Sequence, residues 1–177
     1  MRATAETAIV AAGYAAAQYT KDTAVLHEEE LRRLYNPDFV ARAVSICSPE
    51  EEIRRILSDF LAEDERIFET GVSETGGTSS FDALWKIGEY YSSGLEADAY
   101  LIPILAETIE VCELTGVDPF TVPSKGLLFI TTKRPGCLIK KIEGSGFNAI
   151  TIGRLSPGNA RIVRYGERER YLTKPDR

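Results

Sequence analysis

GVSETGGTSSFDALWKIGEYY, residues 71–91, is the stretch on which the reading of this chain turns. A Gly76-Gly77 pair among small hydroxyl residues runs straight into a helical pattern. Phe81, Leu84, Trp85 and Gly88 recur at i, i+3, i+4 and i+7, so one face of the predicted helix is apolar or small. Glycines let a backbone turn tightly and lie close to a ligand. The first N–H groups of a helix lack partners within it, and the helix dipole favours an anion beside them. Thr75, Gly76, Gly77, Thr78 and Ser79 are therefore candidate residues for an anion or phosphate, with hydroxyls adding donors. The plainer alternative is an ordinary loop ending in a Ser N-cap.

Upstream, AETAIVAAG (5–13) reads as either an Ala-rich helix or a buried strand. EEELRRLYNPDFVARAVS reads as two helices broken at Asn36-Pro37. Ser48 as N-cap, Pro49 at N1 and Glu51 at N3 form a capping-box signature. Ile53, Ile56, Leu57, Phe60 and Ile67 then predict one helix reaching about residue 68. Downstream, Gly94 reads as a C-cap and LEADAYLIP as a half-buried strand. Pro103 opens a helix with Leu105, Ile109 and Cys112 on one face, closed by Gly116. VDPFTVPSKG is a structured loop, and GLLFITT, the most hydrophobic short run, is a central strand. A short helix near LIKKIEGSG leads to the strand FNAITIGRL, and the turn SPGN leads into ARIVRYGE as a terminal β-hairpin. Strands interleaved with helices, with neither a linker nor a repeat, predict a single α+β or α/β domain with a mixed sheet over residues 1–177.

At 177 residues and 44% hydrophobic composition, the chain is long enough for one packed core. With 27 acidic against 21 basic residues and a net charge of −6, nucleic acid and anionic membrane are poor partners. The cluster Arg161, Arg164, Arg168 and Arg170 is interleaved with Glu167 and Glu169 and reads as a solvated face. No apolar run approaches the roughly 20 residues that span a bilayer, and Glu6 interrupts any leader, so a cytoplasmic protein is expected. Cys47, Cys112 and Cys137 are odd in number and far apart, which fits structural thiols. The single histidine, His27, precedes EEELRR and decorates a helix start; no metal site is expected. No nucleophile–base or acid–base pair stands out, so catalytic residues are left unassigned.

In order, GVSETGG, TSSFDALWKIGEYYSSGLEADAYLIPI, AETIEVCELTGVDPFTVPSKGLLFIT and GFNAITIGRLS resemble the C-terminal domain of the aminoimidazole ribonucleotide synthetase (PurM-like) superfamily. The hydrogenase-maturation-like branch is the nearest in pattern. Cys112–Gly116 followed by Val117-Asp118-Pro119-Phe120 is similar to the family's Gly-Leu-Asp-Pro segment, and Gly153 falls at its Ile-Gly strand end. TKDTAVLHEEELRRLYNPDFVARA is similar to the opening of the same domain. The resemblance implies a mixed sheet with helices mainly on one face, partly ferredoxin-like, and a glycine turn near the phosphates of ATP or a phosphorylated substrate.

The resemblance also implies a second, nucleotide-binding domain that supplies most ATP and metal ligands, for which 177 residues have no room. The family turn Asp-x-Thr-x-Gly-Gly reads here Val72-Ser73-Glu74-Thr75-Gly76-Gly77, putting a glutamate where a phosphate would lie. Ser124-Lys125-Gly126 stands at a polar family loop, and Lys125 restores positive charge there. The C-terminal cysteine of the hydrogenase-maturation enzyme is replaced by Lys174-Pro175-Asp176-Arg177. The expectation is a phosphate-binding or partner-completed half of an ATP-dependent enzyme, with ATP and magnesium as the implied cofactors. It would work as a homodimer or with a separate nucleotide-binding chain. The alternative is a structural or interaction module assembling with a hydrogenase-maturation-like or other partner.

Overall fold

GLLFITT becomes the strand that both faces of the molecule need. The computed structural model describes residues 6–73 and 76–175. In it Leu127–Thr132 (β6) is buried along its whole length, and so is Ala8–Gly13 (β1), which settles the AIVAAG ambiguity as strand. The two pair antiparallel, from Ala8↔Thr132 to Gly13↔Leu127. A run of apolar residues with no polar face cannot rest on a one-sided sheet, so helices must cover both sides.

The seven-stranded sheet is completed by Arg66–Glu69 (β2), Gly94–Asp98 (β5), Ala149–Ser156 (β7), Arg161–Tyr165 (β8) and Arg168–Tyr171 (β9). Its order is β2-β6-β1-β7-β5-β8-β9, and a separate two-stranded ribbon joins Gly71–Ser73 (β3) to Gly76–Thr78 (β4). All sheet pairings are antiparallel except β5 with β8, which makes the sheet mixed.

Alternation along β1 divides the core. Ile9 and Ala11 face one cluster with Phe81, Leu84, Ile87 and Tyr91 of helix α5 (Ser80–Tyr91). Val10 and Ala12 face the other, with Ile53 and Leu57 of α4 (Glu50–Leu57) and Leu138 and Ile142 of α7 (Pro135–Glu143). Two helices therefore lie on one face and a single helix on the other. Each fully buried leucine or isoleucine contributes roughly 1.5–3 kcal/mol from the water it excludes. A third cluster, around Leu31, Phe39, Val40 and Val111, gathers α1 (Ala17–Leu26), α2 (Glu28–Leu34), α3 (Pro37–Val44) and α6 (Ala106–Thr115). The α2–α3 break falls where Asn36-Pro37 predicts it, with Phe39 N–H donating to Asn36 Oδ1 at 2.8 Å.

Five local expectations are corrected. The helix expected to reach about residue 68 stops at Leu57, and residues 66–69 pair with β6 instead. Pro49 is its N-cap without a side-chain bond, and Ser48 Oγ donates to Gln18 at 3.4 Å. Ile67 is apolar enough for either periodicity, and the β6 edge wins it. Gly94 opens β5, while Ser92 takes the left-handed C-cap position of α5. SPGN does not close a hairpin: β5 lies between β7 and β8, and the terminal hairpin is β8–β9. On α6, Ile109 is 48% exposed while Thr108, Val111 and Cys112 are buried, so the face is turned from the one predicted. Gly116 closes that helix in the left-handed conformation as expected.

Cys112 is buried, and desolvation, with Asp118 adding, pushes its thiol up to about 11. It is an inert core thiol. Cys47 and Cys137 are exposed.

One polar clasp ties the start of β2 to the end of β6. Glu65, 4% exposed, accepts from Arg134 Nε and Nη2, each at 3.0 Å, and from Thr132 Oγ1 at 2.5 Å and Ala62 N–H at 2.7 Å. Burial pushes the Glu65 carboxyl up, but hydrogen bonds from Arg134, Thr132 and the Ala62 amide outweigh it and hold the group below the usual carboxylate range. The depressed value means the clasp stabilises the fold fully above the unfolded-state pKa and loses that contribution as pH falls through the folded one. Thermal melts at about pH 7 and about pH 3 check this, and the loss on acidification should be smaller in Glu65→Gln than in the wild type. Arg134→Ala should lower the melting temperature near neutral pH, because it leaves the buried Glu65 carboxylate without its charged partner, and the loss should shrink on acidification.

Candidate functional site

The glycine segment is a β-ribbon rather than a turn at a helix start. Gly76 and Gly77 lie in β4, opposite Ser73 and Val72, and Thr78 pairs with Gly71. Glu74 and Thr75 lie outside the described residues. Ser79 is the N-cap of α5 and is buried. Its hydroxyl donates to Asp82 Oδ2 at 2.7 Å and accepts from the Asp82 N–H at 3.2 Å, while its own N–H donates to Asp82 Oδ2 at 2.9 Å. The Phe81 N–H donates to Phe120 O at 3.1 Å. The capping box and the loop at Phe120 thus take up the donors of Ser79, Phe81 and Asp82 at the start of the helix.

The loop 117–126 holds the site together. Helix α1 has no side-chain cap of its own at Ala16. Instead the Gln18 N–H donates to Lys125 O at 3.1 Å and the Tyr19 N–H to Ser124 Oγ at 2.9 Å. The Tyr14 N–H reaches Gly126 O at 2.7 Å. Gly126 has φ +129, and a Cβ there would lie 2.5 Å from the Ala17 Cβ, so only glycine admits this approach. The Thr70 N–H and hydroxyl both donate to Leu127 O, at 3.3 and 3.1 Å, fixing the root of the ribbon to the root of β6.

Two lysines meet one rung of the ribbon. A Cβ on Gly71 would touch Lys125 Cγ at 3.0 Å. Across the rung, Lys86 Nζ donates to Thr78 Oγ1 at 2.6 Å. The structure thus places Gly76, Gly77 and Thr78 on one strand of the ribbon, with Lys125 beside Gly71 of the other, turns Ser79 inward to its cap, and adds Lys86. Sequence spacing could not reveal Lys86, because its reach depends on how β4 crosses the first turns of α5. A cavity of about 360 Å³ borders the ribbon between Val72, Pro123, Ser124, Lys125 and the start of α1.

An anion suits this donor set, with two ammonium groups and a hydroxyl. A magnesium ion does not: no three His, Cys, Asp or Glu side chains gather as metal ligands among the described residues. Asp82 is spent in the capping box, and Asp22, which lines the cavity beside Lys125, accepts from Gln18 Nε2 at 2.7 Å.

No protein-family model matches the sequence, and no curated protein does. Solved structures do match the fold. HypE, a hydrogenase maturation protein solved in complex with ATP, superposes with a TM-score of 0.71 over 99% of this chain and 52% of its own, at 15% identity. HypE in a HypE–HypF complex gives 0.66 over 98% and 54%, also at 15% identity. Thiamine-monophosphate kinase from Stenotrophomonas maltophilia gives 0.62 over 92% and 51%, at 14% identity. The fold is that of the PurM-like C-terminal domain. The chain spans about half the length of the proteins it matches, and at these identities the likeness is one of fold.

Gly77 sits differently from the sequence expectation. A Cβ there would stand 2.4 and 2.5 Å from Pro123 Cβ and Cγ, so a larger residue meets the loop and not an open ligand space. Gly77→Val should therefore loosen the ribbon from the 117–126 loop. Hydrogen exchange should show faster opening at residues 71–78 and 120–126, with the β1–β6 core unchanged; uniform destabilisation would contradict this placement.

Proposed function

We propose that this domain recognises the phosphates of a nucleotide or phosphorylated metabolite at the Gly71–Thr78 ribbon. It would do so as one half of an ATP-dependent active site whose other half supplies the metal ligands and the catalytic groups. The observation that carries this reading is the pair of lysines, Lys86 and Lys125, at one rung of a glycine-rich ribbon fixed to α1, α5 and β6. A side chain on Gly77 would strike Pro123 and one on Gly71 would strike Lys125, so glycines let the loop lie against the ribbon, and two cations favour a dianion there, in an otherwise acidic chain. The fold likeness to a protein solved with ATP supports the choice of ligand. Glu74 opposes it, and a magnesium ion supplied with the nucleotide would offset that charge. Within this half, the residues bind and orient; no step of chemistry is assigned to them.

Calorimetric titration with ATP and magnesium tests the reading. The wild type should bind weakly, Lys86→Ala/Lys125→Ala should weaken binding about tenfold or more, and Glu74→Thr should strengthen it. No heat from the wild type, and none gained by Glu74→Thr, would remove the phosphate reading.

A second reading, assembly through the open end of the sheet, has its own observation. On the face carrying α4 and α7, a groove of about 530 Å³ lies over β7, β5 and β8. Glu96 lies 3.9 Å from Arg154 and 3.5 Å from Arg164, and Arg164 pairs with Glu169 at 3.1 Å. Both charge signs on one patch suit a two-fold contact with a second copy. Sedimentation at micromolar concentration should show a species above monomer mass that Arg154→Glu/Arg164→Glu returns to monomer. A monomer throughout would sink this reading and leave the phosphate proposal standing.

A further inference from the structure

The arginine cluster near the C-terminus does not behave as one solvated face. Arg164 pairs with Glu169 and Glu96. Arg161 lies over the Trp85 ring, 3.9 Å from its centroid. Arg170 is different: it leans over the Phe81 ring at 5.7 Å and forms no ion pair among the described residues. Lys174 likewise has no acidic partner among them. Both line a polar cavity of about 220 Å³, together with Thr121, Thr173 and Asp82, over Phe81 and Leu172.

We propose that this cavity is a second anion site, distinct from the ribbon, that takes a small phosphate or phosphate monoester. The donors are side chains of the C-terminal segment: Arg170 and Lys174 supply two positive charges and Thr173 a hydroxyl, while the Thr121 hydroxyl on the facing loop donates to Asp118 O at 3.1 Å. Arginine offers a fork that matches two phosphate oxygens, and lysine adds a point charge. Asp82 contributes one negative charge, and its Oδ2 already accepts from the Ser79 N–H and hydroxyl. The balance at the cavity is one net positive charge, in a protein whose total is −6. An anion is therefore drawn to this spot against the general field of the protein. The Phe81 ring below, stacked on Phe120 at 5.7 Å, gives the organic part of a monoester an apolar wall.

The two sites differ in their cations. The ribbon uses Lys86 and Lys125, the cavity Arg170 and Lys174, so one can fail without the other. Titration of the full chain at low salt with inorganic phosphate and with phenyl phosphate decides the matter. The wild type should bind both probes, the monoester more tightly, with affinity falling as sodium chloride is raised. Arg170→Ala/Lys174→Ala should weaken binding about tenfold or more, whereas Lys125→Ala should leave it within about twofold. Both altered cations are exposed, so the variants should melt as the wild type does. Saturable binding unchanged in Arg170→Ala/Lys174→Ala, or no saturable binding in the wild type, overturns the proposal. Loss of binding in Lys125→Ala instead would assign the phosphate to the ribbon and equally overturn it.

Discussion

The burial of β1 on both faces is the constraint from which the rest follows. Ile9, Val10, Ala11 and Ala12 are all fully buried, and alternation sends neighbours to opposite layers. Two of the four are alanine, which lets α5 approach from one side while α4 and α7 approach from the other. With β6 and β7 as its two partners, β1 has no free backbone edge along its length. A polar substitution there would bury an unpaired group in one layer or the other, at a cost of roughly 1–3 kcal/mol or more.

From the end of β1 the same constraint reaches the ribbon. The chain leaves Gly13, and the Tyr14 N–H immediately meets Gly126 O. The 124–126 loop then caps α1, whose own N-cap residue, Ala16, has no side chain able to do so. Lys125 is thus held at its backbone by a helix whose first N–H groups need acceptors. A side chain on a loop is usually poorly placed; here the cost of leaving those N–H groups unpaired fixes it. Pro123 and Gly77 approach closely on the other side, so ribbon, loop and α1 are packed against one another.

Electrostatics divide the molecule into regions with different tasks. Glu65 is buried against a partly solvated Arg134, and the pair serves stability. Glu96, Arg154 and Arg164 form a wetter network across a sheet face that α4 and α7 leave uncovered. Lys86 and Lys125 at the ribbon, with Arg170 and Lys174 at the neighbouring cavity, bring positive charge to the N-terminal end of α5 from both sides. The capped terminus of α5 is not itself the donor set. Of the four cations α5 carries only Lys86, while Lys125 stands on the 117–126 loop and Arg170 and Lys174 on the C-terminal segment.

Much of this was legible in the sequence, because local rules fix it. The break at Asn36-Pro37, the amphipathic α5, the Gly116 cap and the buried GLLFITT run depend on residues within a turn or two of each other, and a resemblance over the glycine segment named the fold. What sequence could not decide are the contests between distant partners. Residues 66–69 suit helix or strand equally, and only the open edge of β6 makes them strand. Ser79 looked like a phosphate ligand, and only its capping box shows the hydroxyl already engaged. Lys86, Arg170 and Lys174 are ordinary surface cations until β4, α5 and the last strand are folded side by side. Their positions are set by chain crossings many residues apart, which no periodicity records.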